Sequence, residues 1–141
     1  MIRLANRYDN DKIIELIKDF AIKTDSPLSS NPLSWSKNYV ESILNTIHAG
    51  HGFILIDEEQ TGILVAIKTE CFWNKHIIQL QETMLHGYNK LVIFRLIKEY
   101  IKVAKQMINK GEIHQAIMAS YMGIDLSKLG LKQLEIKWEI K

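Results

Sequence analysis

The sequence predicts an α/β domain in which a mixed β-sheet carries helices on its faces. Three observations predict it. Residues 91–109 repeat apolar side chains at the helical period, residues 53–57 and 63–68 are short β-branched runs parted by Glu58, Glu59 and Gln60, and Leu134, Ile136, Trp138 and Ile140 alternate with polar neighbours. The chain has 141 residues, one domain's length, and residues 1–141 are read as a single domain.

The elements follow in order. Met1–Ala5 predicts a short strand. Asp9 or Asn10 then caps a helix, because a short side-chain oxygen accepts from the free amides of a first turn. Ile13, Ile17 and Phe20, flanked by Ile14 and Ala21, share its apolar face. Residues 24–34 hold both prolines and a cluster of serines and predict a loop. From about Trp35 a second helix is expected, with Tyr39, Val40, Ile43, Leu44 and Ile47 at helical spacing and Gly50 as a left-handed C-cap. Phe53–Asp57 and Ile63–Lys68 then form a hairpin. Phe72–Lys75 is the next turn, and His76–Leu85 the third strand of a meander. Its Ile78, Leu80 and Glu82 point one way and Ile77, Gln79 and Gln81 the other. Leu91–Asn109 is the longest helix: Ile93, Leu96, Ile97, Tyr100, Ala104, Met107 and Ile108 face inward, Lys98, Lys102, Lys105 and Asn109 outward. Gly111 ends it. Ile113–Ala119 predicts a buried strand, Asp125 caps at most one or two helical turns, and Leu134–Ile140 makes a half-exposed last strand. The predicted order is β-α-α-β-β-β-α-β-α-β.

Composition removes several functional classes. Hydrophobic residues at 47% and charged residues at 24% are globular values. A net charge of +2 is too small to make nucleic acid or an anionic membrane the expected partner. The lone cysteine, Cys71, excludes an intrachain disulfide and an all-cysteine metal site. Met1–Tyr8 lacks the apolar stretch of a signal peptide, and no run of about 18 apolar residues is present. The expected location is cytoplasmic, that of a cell or of a host carrying a virus.

Ile2-Arg3-Leu4-Ala5 followed by Asn10-Asp11-Lys12-Ile13-Ile14-Glu15-Leu16, the stretch Gly52–Ala66, Arg95-Leu96-Ile97-Lys98 with Ala104-Lys105, and Leu129-Gly130-Leu131-Lys132 before Leu134-Glu135 occur in an order and spacing that resemble the GNAT family of acetyl-CoA-dependent N-acetyltransferases. The resemblance runs over nearly the whole chain and is nearest to small phage-encoded members. It implies the GNAT fold. Fold alone does not deliver function.

The family holds the pyrophosphate of acetyl-CoA in a loop of Arg or Gln followed by two glycines, ahead of the long helix. Unsatisfied amides at a helix N-terminus suit an anion. Here the corresponding residues are His86-Gly87-Tyr88-Asn89-Lys90, with one glycine and a loop shorter by roughly four residues. The resemblance makes Leu85, Gly87, Asn89 and Lys90 the candidate cofactor-binding residues, with Lys90 as a point charge. The same residues also read as a tight strand-to-helix turn with Asn89 as N-cap. For catalysis the family often uses a carboxylate on its fourth strand as base and a late tyrosine as acid. Glu82 is the candidate base, with a solvated or salt-bridged strand residue as the alternative. The tyrosine position is taken by Leu126, which cannot donate a proton, so Tyr121 is the candidate acid, with a core or rim tyrosine as its alternative.

The remaining constellations carry less. His48 and His51 flank Gly50 without a completing ligand, so no metal is expected. His76, His86 and His114 read as surface or rim histidines, Cys71 as a packing or loop residue, and the Lys98, Lys102, Lys105 stripe as a solvated face. Phe72 and Trp73, in a predicted turn, read either as anchors for a protein partner or as a loop folded onto the core. Two functions follow. In the first, a GNAT-fold protein with a degenerate acetyl-CoA loop is non-catalytic or weakly active and serves binding or structure, as a phage virion-associated protein would, with a protein partner and no cofactor. In the second, it is an active N-acetyltransferase using acetyl-CoA through an abbreviated loop.

Overall fold

Arg3, at the centre of strand β1 (Ile2–Leu4), fixes the start of the molecule. Its guanidinium grips Asp9 through two bonds, Nη1 to Oδ2 at 2.9 Å and Nη2 to Oδ1 at 2.8 Å, and the Asn6 amide donates to the same carboxylate at 2.9 Å. Asp9 is therefore not the side-chain cap of helix α1 (Asn10–Lys23) that the sequence suggested. Asn6 does the capping, one turn earlier, ahead of a 3-10 turn over Arg7–Asp9. Asn10 instead ties α1 to the next helical segment: its Nδ2 donates to Asn45 Oδ1, and its Oδ1 lies 2.9 Å from His48 Nε2.

The computed structural model describes residues 1–24, 35–119, 124–135 and 140. The predicted loop after Thr24 lies outside them. Helix α2 (Lys37–Thr46) is capped by Ser36, whose Oγ accepts from the Tyr39 amide, and it widens into a π-turn over Ile47–His51 that leaves through Gly50 at φ 116°. Strands β2 (Gly52–Asp57), β3 (Gly62–Cys71) and β4 (Asn74–Gly87) follow, then helix α3 (Lys90–Asn109) and strand β5 (Gln115–Ile117). The sheet order is β1-β2-β3-β4-β5, antiparallel up to β4 and parallel between β4 and β5. At the β2–β3 turn the Asp57 carboxylate accepts from the Thr61 and Gly62 amides and from the Thr61 hydroxyl, while Gln60 takes a left-handed φ of 58°.

Helices cover both faces. Ile13, Leu16 and Leu44 pack on Ile54, Ile56, Ile63 and Val65. Leu96, Tyr100 and Ala104 of α3 pack on Leu55, Leu64, Ala66 and Leu80. Alternate residues of β2 and β3 thus fall into opposite cores, which is why these strands read as continuous apolar runs.

Four expectations need correction. In α3 it is Val92 that is buried, Ile93 is only half-buried, and Ile108 is 41% exposed. Strand β5 is three residues long and partly exposed rather than buried, since among the described residues no strand pairs its outer edge. The single 3-10 turn over Ser127–Leu129 has Leu126 as its N-cap rather than Asp125, whose Oδ1 accepts from the Ser127 amide from one position earlier. Residues 131–135 and 140 are not in a strand, and the other positions of the predicted last strand lie outside the described residues.

Candidate functional site

The sheet opens between β4 and β5. Among the described residues pairing runs only over Gln79↔Gln115, Leu80↔Ala116 and Gln81↔Ile117. Immediately beyond, Ala66 of β3 faces Glu82 and Val65 faces Met84, so Thr83 is an extra residue, a β-bulge whose hydroxyl donates to Val65 O at 3.2 Å. A bulge bends its strand and increases its twist, which carries β4 away from β5 at this point. The Tyr88 amide donates to Thr61 O, on the β3 side. Successive peptide groups of a strand point to opposite edges, so Gly87 and Leu85 turn their N–H and C=O groups to the β5 side, where no described strand meets them. A pocket of about 70 Å³ occupies this splay, lined by Leu85 and His86 of β4, Ile93 and Ile97 of α3, Met118 and Ala119 after β5, and Phe20, Lys23 and Thr24 from the end of α1, with Ile124 and Leu126.

The turn into α3 is short. Asn89 is its N-cap, with Oδ1 accepting from Val92 N at 3.0 Å. The first-turn amides of Lys90 and Leu91 are left as donors at the positive end of the helix. Gly87 lies directly opposite Gly62. A Cβ on Gly87 would come within 3.0 Å of Ile93 Cγ1, and one on Gly62 within 2.4 Å of Val92 Cγ1. The two glycines make a bare patch of sheet on which the start of α3 rests, and this close contact is why Val92 rather than Ile93 is buried.

Glu82 is buried on the α3 side, with Leu80. Its Oε2 accepts from the Ala119 amide at 3.1 Å, and burial raises its pKa against the smaller opposite pull of that bond. Tyr100, also buried, donates from its hydroxyl to Ile117 O at 2.6 Å; burial and the neighbouring Glu82 raise its pKa. Together these side chains anchor the chain leaving β5, and Glu82 does not line the pocket. Tyr121 lies outside the described residues. Leu85, Gly87, Asn89 and Lys90 fall together at the end of β4 and the start of α3.

His86 reads from the sequence as a surface or rim histidine and is instead only 5% exposed. Strand alternation explains it: Met84 and His86 share the face covered by α1, where the ring meets Phe20 edge-on at 6.4 Å and Tyr88 at 5.8 Å. Its Nε2 is buried with no hydrogen-bond partner. Burial lowers its pKa, Lys23 lowers it further, and Asp19 opposes both. The sequence held one usable signal: His86 directly follows the predicted strand His76–Leu85 and stands between the candidate residues Leu85 and Gly87.

Elsewhere, His76 and His114 are exposed, and no group of three His, Cys, Asp or Glu that could hold a metal forms among the described residues. Phe72 and Trp73, 98% and 83% exposed at the β3–β4 turn, do not fold onto the core. No helix among the described residues is long and apolar enough to cross a membrane.

No protein-family model and no curated protein matches this chain. Solved structures do. An acetyltransferase of Trypanosoma brucei is 12% identical with a TM-score of 0.67, all of this chain covering 98% of that one. A predicted acetyltransferase from Clostridium acetobutylicum, solved with acetyl-CoA, is 13% identical at 0.65, with 100% of this chain and 95% of that one covered. An aminoglycoside acetyltransferase from an uncultured soil sample, solved with sisomicin, is 13% identical at 0.63, over 100% and 96%. At such identities the likeness is one of fold: the chain has the mixed α/β architecture of GNAT-like acetyltransferases over its full length.

Proposed function

We propose that this chain is an N-acetyltransferase that uses acetyl-CoA and holds it chiefly by its pantetheine arm. The observation that carries this reading is the edge of β4 past the Thr83 bulge, unpaired among the described residues, with the peptide groups of Leu85 and Gly87 turned to it and an apolar pocket beside Leu85. An exposed strand edge takes up an extended chain bearing amides by main-chain hydrogen bonds, and the pantetheine arm is such a chain. The diphosphate end has less to meet: the Lys90 and Leu91 amides, with the Lys90 ammonium as a point charge. Asn89 has already taken the Val92 amide, and Gly87 serves the packing of α3. Bound there, acetyl-CoA supplies a thioester carbonyl, the electrophile for an amine.

Hydrogen bonds to a charged group contribute on the order of 1.5–3 kcal/mol each. Two or three fewer on the diphosphate, a loss of about 4 kcal/mol, weaken binding roughly a thousandfold. Acetyl-pantetheine, which lacks the nucleotide, should therefore bind nearly as well as acetyl-CoA. Both should leave the melting temperature unmoved at about 0.1 mM and raise it at several millimolar, since linkage stabilises only once ligand exceeds its dissociation constant. No shift with either at millimolar concentration sinks this reading.

In that event a second reading takes its place, a non-catalytic scaffold of the kind a phage virion carries, bound to a protein partner. The side-by-side exposure of Phe72 and Trp73 at a hairpin tip supports it.

A further inference from the structure

Five polar residues are buried among the described ones: Asp9, Asn10, Asp57, Glu82 and His86. The first four are each engaged, by Arg3, by Asn45 and His48, by the β2–β3 turn and by Ala119. Only His86 keeps a buried side-chain nitrogen with no partner. Leaving such an atom without a partner is costly to the fold, and a native structure that keeps one calls for a reason.

The position of the ring offers the reason. It lines the splay pocket beside Leu85, whose peptide groups face the open edge, but lies on the opposite face of β4, toward α1. That side has its own chemistry. Phe20 and Tyr88 give aromatic walls, and Asp19 accepts from the Tyr88 hydroxyl at 2.8 Å. Resting on the acetyltransferase reading, we propose that His86 is the catalytic base: its unpaired ring nitrogen takes a proton from a primary amine that enters between α1 and β4. The ring takes one proton from the ammonium. The freed lone pair forms the N–C bond as the C–S bond breaks with its electron pair on sulfur. The amine's second surplus proton goes to that sulfur, and the ring releases its own to water. The charged groups around the ring are Lys23 and Asp19 of α1, while Ile93 and Ile97 of α3 and Met118 and Ala119 beyond β5 are uncharged. Burial and Lys23 keep the imidazole neutral, which leaves its lone pair available near neutral pH.

His86→Gln keeps a polar side chain of similar reach but cannot accept a proton. Transfer from acetyl-CoA to a panel of primary amines, followed by thiol release, should fall about 10²–10⁴-fold in this variant. The limb of the kcat/KM profile that rises with pH through the ring's titration should vanish, and acetyl-pantetheine should raise the melting temperature as in wild type. Added imidazole should restore part of the rate to His86→Ala. In wild-type protein without any acetyl donor, n-propylamine should move the His86 ring resonances in NMR spectra. A His86→Gln enzyme with wild-type rate and profile overturns the proposal, as does a wild type that acetylates no amine of the panel. Should neither variant fold, the NMR titration decides, and unmoved ring resonances overturn it. Failure of acetyl-pantetheine to bind wild type strikes the acetyltransferase reading; retained binding with an unaffected variant strikes His86 alone.

Discussion

Asp9 is held at a pKa of about 2, first by its hydrogen bonds from Arg3, against the opposing effect of burial. A carboxylate depressed in the fold contributes stability that is complete above its ordinary value near 3.8 and disappears as pH falls through about 2. With Arg3 39% exposed and water screening the pair, the contribution is about 1–2 kcal/mol. Asp9→Asn should lose that much in urea melts at pH 7 and almost nothing near pH 2. Glu82 has the opposite sign. Its raised pKa means that the fold prefers the protonated form, so the stability it costs grows as pH rises above the ordinary glutamate value. Glu82→Gln keeps the bond from Ala119 without the charge. It should melt higher than wild type at pH 7, with the gap closing near pH 4, and should keep transfer activity if the residue only anchors β5. A lost rate with unchanged acetyl-pantetheine binding would return the base to Glu82. Both residues were visible in the sequence, but their roles were not. Capping preferences suggested Asp9 as a cap, and only the tertiary approach of Arg3 diverts its oxygens. Glu82 could be assigned to its strand and face by alternation, yet the amide it meets is 37 residues away.

Elements were more legible than contacts. The hairpin, the long helix and their caps follow from local rules, because period, turn residues and Asn89 act within a few positions of themselves. The phase of α3 was misjudged at its start because sequence patterning credits every apolar residue equally. Which of Val92 and Ile93 enters the core depends on the missing side chains of Gly62, at the start of β3, and Gly87, at the end of β4. This contact is testable. Gly62→Ala places a methyl 2.4 Å from Val92 Cγ1 and 3.0 Å from His86 O, and should cost about 1–3 kcal/mol by overpacking. Val92→Ala alone loses buried methyls. Combined with Gly62→Ala it should cost markedly less than the sum, a coupling that thermal melts of the double-mutant cycle will read. Additive effects would mean that the two residues do not touch. The short β5 illustrates the reverse error: an apolar run suggested burial, but an outer edge without a described strand leaves it half wet.

Across the whole molecule, β2 to β4 follow one another as hairpins, so their pairing could be anticipated from hairpin signals, whereas β1 reaches β2 only across α1 and α2. The splay could not, because it depends on Thr83, which carries no local mark of a bulge. Leu96, fully buried where α3 crosses the sheet, should cost about 2–5 kcal/mol as Leu96→Ala, a global loss seen equally by every probe of unfolding. Thr83 also gives the chain an unusual tolerance to change in length. Because Ala66 faces Glu82 and Val65 faces Met84, removing Thr83 leaves every other pair of β3 with β4 in place and every inward side chain inward. Removing a more distant residue such as Ile78 would shift the residues between it and the bulge by one, and would turn Leu80 off its core face. A gene that dropped the Thr83 codon would thus encode a protein that folds with a straighter β4 and a closed cleft. At this one place shape and ligand capture can part company, and a single-codon deletion scan along the strand should find its survivors clustered around Thr83.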